Sequence, residues 1–210
     1  MKVVIIGGGG FGKEALDILS YSNNEVIGFV DPELKGKEIQ GVKVLGGDEV
    51  LVELIKKEKI AAFVAVAKPT ARKKIFEKVK KLGYKMINVI HPTASISKSV
   101  RMGEGNIVYG GVTINTLVSI GDGCLINSNV SIGHETKLGN FVNLNPGVNL
   151  GGKILLNDNV YIGIGADMIE DVAIGENTIV GGGAVVIKDL PDNVTAVGVP
   201  AKVIKNEGVK

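Results

Sequence analysis

The chain has no tryptophan, one cysteine and two histidines, and aromatic residues make up only 4% of its 210 positions. A single thiol excludes an internal disulfide and any multi-cysteine metal site. Two histidines exclude a zinc centre of the carbonic anhydrase kind, which needs three imidazole ligands, and no metal is expected. A net charge of +2 leaves no footprint for nucleic acid. No apolar run approaches the ~20 residues of a membrane span, so membrane insertion is not expected. Met1 leads directly into an apolar run and a Gly-rich turn where a secretory leader would have a charged segment. A soluble, cytoplasmic protein is therefore expected.

What the chain does have is glycine, 30 residues of it, and a repeat. From Ile96 every sixth residue is aliphatic or Met without interruption, through Met102, Val108, Ile114, Ile120, Ile126 and Ile132 to Val186. Four residues after these positions runs a second small or branched series that includes Val112, Val118, Cys124, Val130, Val142 and Val148. Such a hexapeptide period is the signature of a β-solenoid, a prism with inward side chains from each short strand. Cys124 belongs to the inward series and reads as core, not as a nucleophile. Gly or Asn follows most of the aliphatic positions, as at Gly121, Gly133, Gly139, Asn115 and Asn127. These types tolerate φ > 0 best, which predicts a turn there.

Residues 1–90 read differently. Lys2 to Ile6 is an apolar, β-branched run followed by Gly7-Gly8-Gly9-Gly10-Phe11-Gly12 and a helix carrying Phe11, Ala15, Ile18 and Leu19 on one face. A second strand, Glu25 to Val30, ends at Asp31-Pro32. A helix with Val50, Leu51, Leu54 and Ile55 follows, then a strand from Ala61 to Val66. The last helix carries Ala71, Ile75, Val79 and Leu82 on its apolar stripe. Its Arg72, Lys73, Lys74, Lys78, Lys80 and Lys81 read as a solvated face. A short strand, Met86 to Ile90, leads to His91-Pro92, where His91 reads as a junction residue. Alternating β and α elements predict a parallel, Rossmann-like sheet with right-handed crossovers. The expected domains are therefore 1–90 and 91–210, an α/β fold plus a β-solenoid with a C-terminal cap.

Gly7, Gly9 and Gly12 match G-x-G-x-x-G, with Asp31 about 20 residues on, as in dinucleotide-binding folds. An oxidoreductase using NAD is one reading of this fingerprint. Only one mononucleotide half fits before the solenoid begins, however, so a single nucleotide is the more economical ligand. The same residues nearly match a P-loop through Gly12-Lys13, yet Glu14 stands where a Ser or Thr would hold Mg²⁺. What remains is a turn of backbone N–H groups at a helix N-terminus, suited to a pyrophosphate. In the solenoid, His134 follows the turn position at Gly133 and precedes Glu135, which places it at a corner or on an outer face. An imidazole beside a carboxylate suits a general base, worth roughly 10² to 10⁴ in rate. Lys153 stacks one coil from Glu135, ~4.8 Å away, and competes for that carboxylate. Asn127 and Asn145, also one coil apart, are candidates for a side-chain amide ladder.

These features, with the Asn145-Pro146-Gly147 turn and the terminal Gly198-Val199-Pro200-Ala201-Lys202, resemble the bacterial sugar O-acyltransferase family. That family contains the UDP-4-amino-sugar N-acetyltransferases and the sialic acid O-acetyltransferases. The resemblance spans essentially the whole chain. It implies that the solenoid is a left-handed parallel β-helix, that the protein is a homotrimer, and that acetyl-CoA lies in a groove between neighbouring prisms. It implies acetyl transfer to the amino group of a nucleotide-linked sugar of the UDP-4-amino type, with sugar or sialic acid O-acetylation as the alternative. A trimeric scaffold that only binds a nucleotide sugar is the non-enzymatic alternative.

By position, the resemblance makes His134 the general base and Glu135 its helper. Gly9, Gly10 and Phe11 would meet the nucleotide-sugar phosphates, and Asp31, Pro32 and Ala67 would flank the base. Asn127 would hold the sugar, while Ile164 and Gly182 would contact the pantetheine arm. Two positions depart from the family. Phe11 and Asn143 stand where relatives of the amino-sugar type have histidines, and Asn143 keeps an amide able to face the thioester oxygen.

Overall fold

The computed structural model describes residues 1–57 and 59–206, and the chain divides into two compact units, Met1–His91 and Pro92–Lys210. The first unit begins with β1 (Lys2–Ile6), whose β-branched residues are buried from Val3 onward. The Gly turn follows, then α1 (Gly10–Ser20), which buries Gly12, Ala15, Ile18 and Leu19. A Cβ at Gly12 would collide with the Gly7 carbonyl, so that glycine permits the tight return of helix onto strand. After β2 (Glu25–Val30) comes an element that the sequence reading lacks, the hairpin β3 (Glu38–Ile39) and β4 (Val42–Gly46). Its turn residues Gln40 and Gly41 both have positive φ, 49° and 80°, the backbone of a twisted two-residue hairpin turn. The single strand-like residue pair at Glu38–Ile39 is too short to announce itself by alternation.

α2 (Glu49–Lys57), β5 (Ala61–Val64) and α3 (Pro69–Lys81) complete the alternation. The expected Met86–Ile90 strand is two short ones, β6 (Lys85–Met86) and β7 (Val89–Ile90). The sheet order is β3-β4-β2-β1-β5-β6, with parallel pairing throughout except for the β3–β4 hairpin. Strand order therefore reverses at the β1–β5 neighbours, the place where open α/β sheets leave a crevice beyond their carboxyl ends. The turn after β1 and the residues after β5 sit at that crevice.

The apolar face of α3 is rotated from the expected stripe. Its buried residues are Arg72, Phe76 and Val79, whereas Ala71 and Ile75 are only half-buried. Arg72 is 2% exposed, so it does not belong to the solvated lysine face. Its Nη1 donates to the carbonyls of Val66 and Ala67 at 2.9 and 2.8 Å, which offsets the cost of burying the guanidinium. His91 packs edge-on against Tyr21, with ring centroids 5.3 Å apart.

The second unit is the β-helix. Two-residue strands recur on three faces, and each pairs in parallel with the strand eighteen residues on, as Leu125 does with Asn143 and Ser131 with Asn149. The first face includes Leu125–Ile126, Asn143–Leu144 and Tyr161–Ile162; the second, Ser131–Ile132, Asn149–Leu150 and Asp167–Met168; the third, Lys137–Leu138, Leu155–Leu156 and Ala173–Ile174. The two predicted inward series, Cys124 included, form one continuous buried core. Burial of each such Val, Leu or Ile is worth about 1.5–3 kcal/mol, and their vertical stacking makes the coils interdependent. An antiparallel pair, Val194–Val197 with Lys202–Asn206, closes the end. Among the described residues no helix is long and apolar enough to cross a membrane.

The turn chemistry differs from the prediction by two residues. From Met102 to Val180, positive φ falls on the third residue after each core aliphatic, as at Asn129 (59°), Glu135 (59°), Gly147 (72°) and Lys153 (58°). The glycines directly after the aliphatics serve close approach instead. A Cβ at Gly121 would lie 2.7 Å from the Gly139 carbonyl oxygen of the next coil, and one at Gly133 would strike Gly151.

Candidate active site

His134 and Glu135 form the corner between the second and third faces. The coil stack clamps this corner on both sides. Glu135 N–H donates to the Thr116 carbonyl at 3.0 Å, and the His134 carbonyl accepts from Lys153 N–H at 2.7 Å. Held so, His134 Nδ1 and Glu135 Oε2 are 3.0 Å apart. An ionised carboxylate can only accept, so Nδ1 carries a proton, and in the neutral imidazole Nε2 presents its lone pair. The competition foreseen with Lys153 is settled by geometry, since the carboxylate turns to the imidazole. The His134 side chain is 55% exposed, so the pair is open to an incoming substrate.

Beside His134 the second face carries an open groove of ≈ 500 Å³ lined by Ser95, Ser97, Thr113, Asn115 and Thr116 together with the imidazole. The sequence reading missed these hydroxyl and amide groups. Their signal was the period itself, because Thr113 and Thr116 precede Ser131 and His134 by one coil.

Asn127, Ile164 and Gly182 lie elsewhere, at the corner between the first and second faces. Successive turns there are joined by the N–H of Gly147 to Ser128 carbonyl at 3.0 Å, Gly165 to Pro146 at 2.9 Å and Gly183 to Ile164 at 2.8 Å. Ile164 is 65% exposed, and Gly182 is open to solvent. The Asn127 Oδ1 accepts from Ser128 N–H at 2.7 Å, while Asn145 Nδ2 donates to the Ile162 carbonyl at 2.6 Å. Each side chain fastens its own corner, and the expected Asn127–Asn145 ladder is replaced by one through Asn159, Asn177 and Asn193, at 3.1 and 3.0 Å. Asn143 is on neither corner. It sits in a first-face strand and is 3% exposed.

In the first unit the structure brings the other sequence candidates to the crevice of the sheet. Gly9 and Gly10 are exposed at the start of α1, with open space where a side chain would stand. Phe11 packs edge-on against Phe63 of β5, centroids 5.9 Å apart. Ala67 is exposed just after β5, its carbonyl held by Arg72. Asp31 closes the β2 side, where Oδ2 accepts from Gly8 N–H at 2.8 Å and Oδ1 from Glu33 N–H at 3.0 Å. Its carboxylate thus shapes the Gly turn, and Pro32 beside it is exposed. A cavity of ≈ 390 Å³ next to Gly8 is lined by Lys13 and Lys37, two cations near the helix N-terminus that sequence reasoning did not assign.

Residues 2–79 match the family described as the PglD N-terminal domain. No curated protein sequence matches the chain. Among solved structures, the chain is similar to a histidine-to-asparagine mutant of perosamine N-acetyltransferase from Caulobacter crescentus in complex with CoA and GDP-perosamine. The TM-score is 0.95 at 39% identity, covering 98% of this chain and 97% of that one. It is also similar to the acetyltransferase domain of PglB from Neisseria gonorrhoeae, with TM-score 0.92, 30% identity and 97% and 99% coverage. WeeI from Acinetobacter baumannii aligns at TM-score 0.85 and 28% identity, over 97% of this chain and all of that one (100%). These likenesses span both units with an N-terminal sheet and a left-handed β-helix in the same order, and the chain belongs to the sugar N-acetyltransferases of the hexapeptide transferase family.

Proposed function

We propose that this protein transfers the acetyl group of acetyl-CoA to the amino nitrogen of a nucleotide-linked amino sugar, of the UDP-4-amino type or its GDP counterpart, for bacterial glycan synthesis. The observation that carries the reading is the exposed His134 imidazole, fixed at Nδ1 by Glu135 and open at Nε2, beside a groove of hydroxyl groups. That the perosamine relative holds CoA and GDP-perosamine together supports it.

The chemistry follows from the pair. The neutral amine attacks the thioester carbonyl carbon, and Nε2 of His134 takes the proton the nitrogen sheds as the C–N bond forms. The C–S bond then breaks, CoA leaves as thiolate, and the imidazolium returns the proton to sulfur. Glu135 holds the ring and stabilises its charged form between the two steps. Transfer is direct. Cys124 is buried and its Sγ–H donates to the Gly139 carbonyl at 3.2 Å, so no thiol stands ready to carry the acyl group.

The nucleotide belongs to residues 1–90, with backbone N–H groups near Gly9, Gly10 and Phe11 for the pyrophosphate and Asp31, Pro32 and Ala67 around the base. Asn127 is assigned to the sugar and Ile164 and Gly182 to the pantetheine arm. Asn143, being buried, is left out of the donor site. Because Ile164 and Gly182 occupy one corner of the prism and His134 the next, one chain does not gather donor and base at a single corner. A homotrimer through closed symmetry supplies the second wall. A cytoplasmic location agrees with the use of acetyl-CoA.

The test is thiol release from acetyl-CoA with a panel of UDP- and GDP-linked amino sugars. Release that depends on the sugar amine is expected. Release only with sugars lacking the amine would replace N- by O-acetylation, and no sugar-dependent release would leave a binding scaffold.

A further inference from the structure

One coil beyond His134 stands Gly152, and the ring lies directly on it. A Cβ built at Gly152 would come within 2.6 Å of His134 Nε2, 2.7 Å of Cε1 and 3.1 Å of Cδ2. No other atoms are as near to that point as these three. The backbone does not demand glycine here, because Gly152 is absent from the positive-φ positions, which pass instead to its neighbour Lys153 at 58°. Nor does strand-to-strand approach demand it, unlike Gly151, whose Cβ would lie 2.6 Å from the Glu170 backbone nitrogen of the next coil. The three atoms that an alanine methyl at 152 would crowd most all belong to the imidazole.

The atom most crowded is the one that matters. With Nδ1 given to Glu135, Nε2 is the nitrogen left for the amine. Backbone bonds hold the coils that carry ring and glycine in register, since Lys153 N–H donates to the His134 carbonyl at 2.7 Å and Asp171 N–H on the following coil to the Gly152 carbonyl at 3.1 Å. The missing side chain thus forms a flat seat under the imidazole, with one edge of the ring pinned by a carboxylate. We infer that Gly152 is a positioning residue that holds Nε2 of His134 in line with the acceptor amine. The inference rests on His134 being the base.

The experiment is Gly152→Ala in the full-length protein, assayed in both the parent and a His134→Ala background. The His134 side chain is 55% exposed, so the added methyl displaces it toward solvent and not into the core, and the variant should keep its melting temperature and oligomeric state. Its kcat should fall about 10²-fold while KM for both substrates holds, the size expected when a reacting group moves by about 1 Å. In the His134→Ala background the same substitution should cost nothing further. A purely structural role would cost activity in both backgrounds, and that result would overturn the inference. So would parental kcat in Gly152→Ala. A separate readout does not depend on turnover. With ¹³C-labelled histidine, only His91 and His134 give ring signals, and Gly152→Ala should shift the His134 signal while leaving His91 in place. Unmoved His134 signals would also overturn it. Should His134→Ala itself retain full activity, the general base falls first and the seat with it, whereas an inactive His134→Ala beside a fully active Gly152→Ala removes the seat alone.

Discussion

Glu135 Oε2 sits 3.0 Å from His134 Nδ1 although the Glu135 backbone is left-handed, at φ 59°. A non-glycine residue pays about 1–2 kcal/mol for that conformation. The conformation turns the chain at once after His134, so that two successive side chains face each other on one corner. A glycine in its place would relieve the backbone and lose the carboxylate.

His134→Ala should lower kcat by about 10² to 10⁴ with little change in acetyl-CoA affinity, as for loss of a group acting in the transition state. Glu135→Gln should cost less, because it acts through His134. The double variant should be no worse than His134→Ala alone, read in steady-state kinetics. An effect of Glu135→Gln that persists at full size without the histidine would show that the two do not act as a unit.

The protein should sediment as a trimer at micromolar concentration. Donor candidates Ile164 and Gly182 and the base His134 sit on adjacent corners, and in the proposed site a neighbouring prism would unite them. A monomer in sedimentation velocity, fully active at the same concentration, would refute the site as drawn.

Residues 92–210, which contain a complete core of their own, should fold and bind CoA but turn over poorly. In the proposed function, nucleotide binding by the first unit would supply the positioning that raises effective molarity. Undiminished kcat/KM in the truncated protein would remove the Gly turn from the nucleotide's site.

Arg72→Leu should destabilise the first unit by about 1.5–3 kcal/mol, because two carbonyls lose a charged donor. It should also raise KM for the nucleotide sugar, since Val66 and Ala67 are the carbonyls released. Thermal unfolding together with KM measures both, and a change in stability with KM intact would separate Ala67 from the base.

Burial pushes the Tyr84 phenol above its usual value, and its hydroxyl donates to the Leu51 carbonyl at 2.7 Å. A raised folded pKa stabilises the protein fully below the unfolded value of about 10 and ceases to do so as pH rises through the folded one. Chemical denaturation should therefore show stability falling above about pH 10, with a shallower fall in Tyr84→Phe. Identical slopes would mean that Tyr84 does not set the alkaline limb.

Much of this protein is legible in its sequence because the solenoid is periodic. The Ile96 to Val186 series and the one four residues on mark the inward side chains, and a coil of three such repeats gives the stacking of Ser131 on Asn149 without further information. Strand β1, the Gly turn and β2 are likewise read directly, since β-branched runs and a glycine cluster leave few alternatives. His134 stood out as the only histidine in the repeats, and the turn before it placed it outside.

The rest depended on contacts between coils or elements far apart in sequence. Which residue of a hexapeptide takes positive φ is set by how the corner closes, so Glu135 and Lys153 take it while Gly133 serves the neighbouring backbone. The α3 stripe looked aliphatic, yet Arg72 is the residue turned inward because two loop carbonyls beyond β5 needed a donor. The hairpin at Glu38–Gly46 is held by β2, not by its own pattern. Sequence alone determined the periodic architecture and the chemical type of the base. Tertiary structure decided that Glu135 turns to the imidazole and not to Lys153, and laid the ring over Gly152, because those relations exist only once coils eighteen residues apart are stacked.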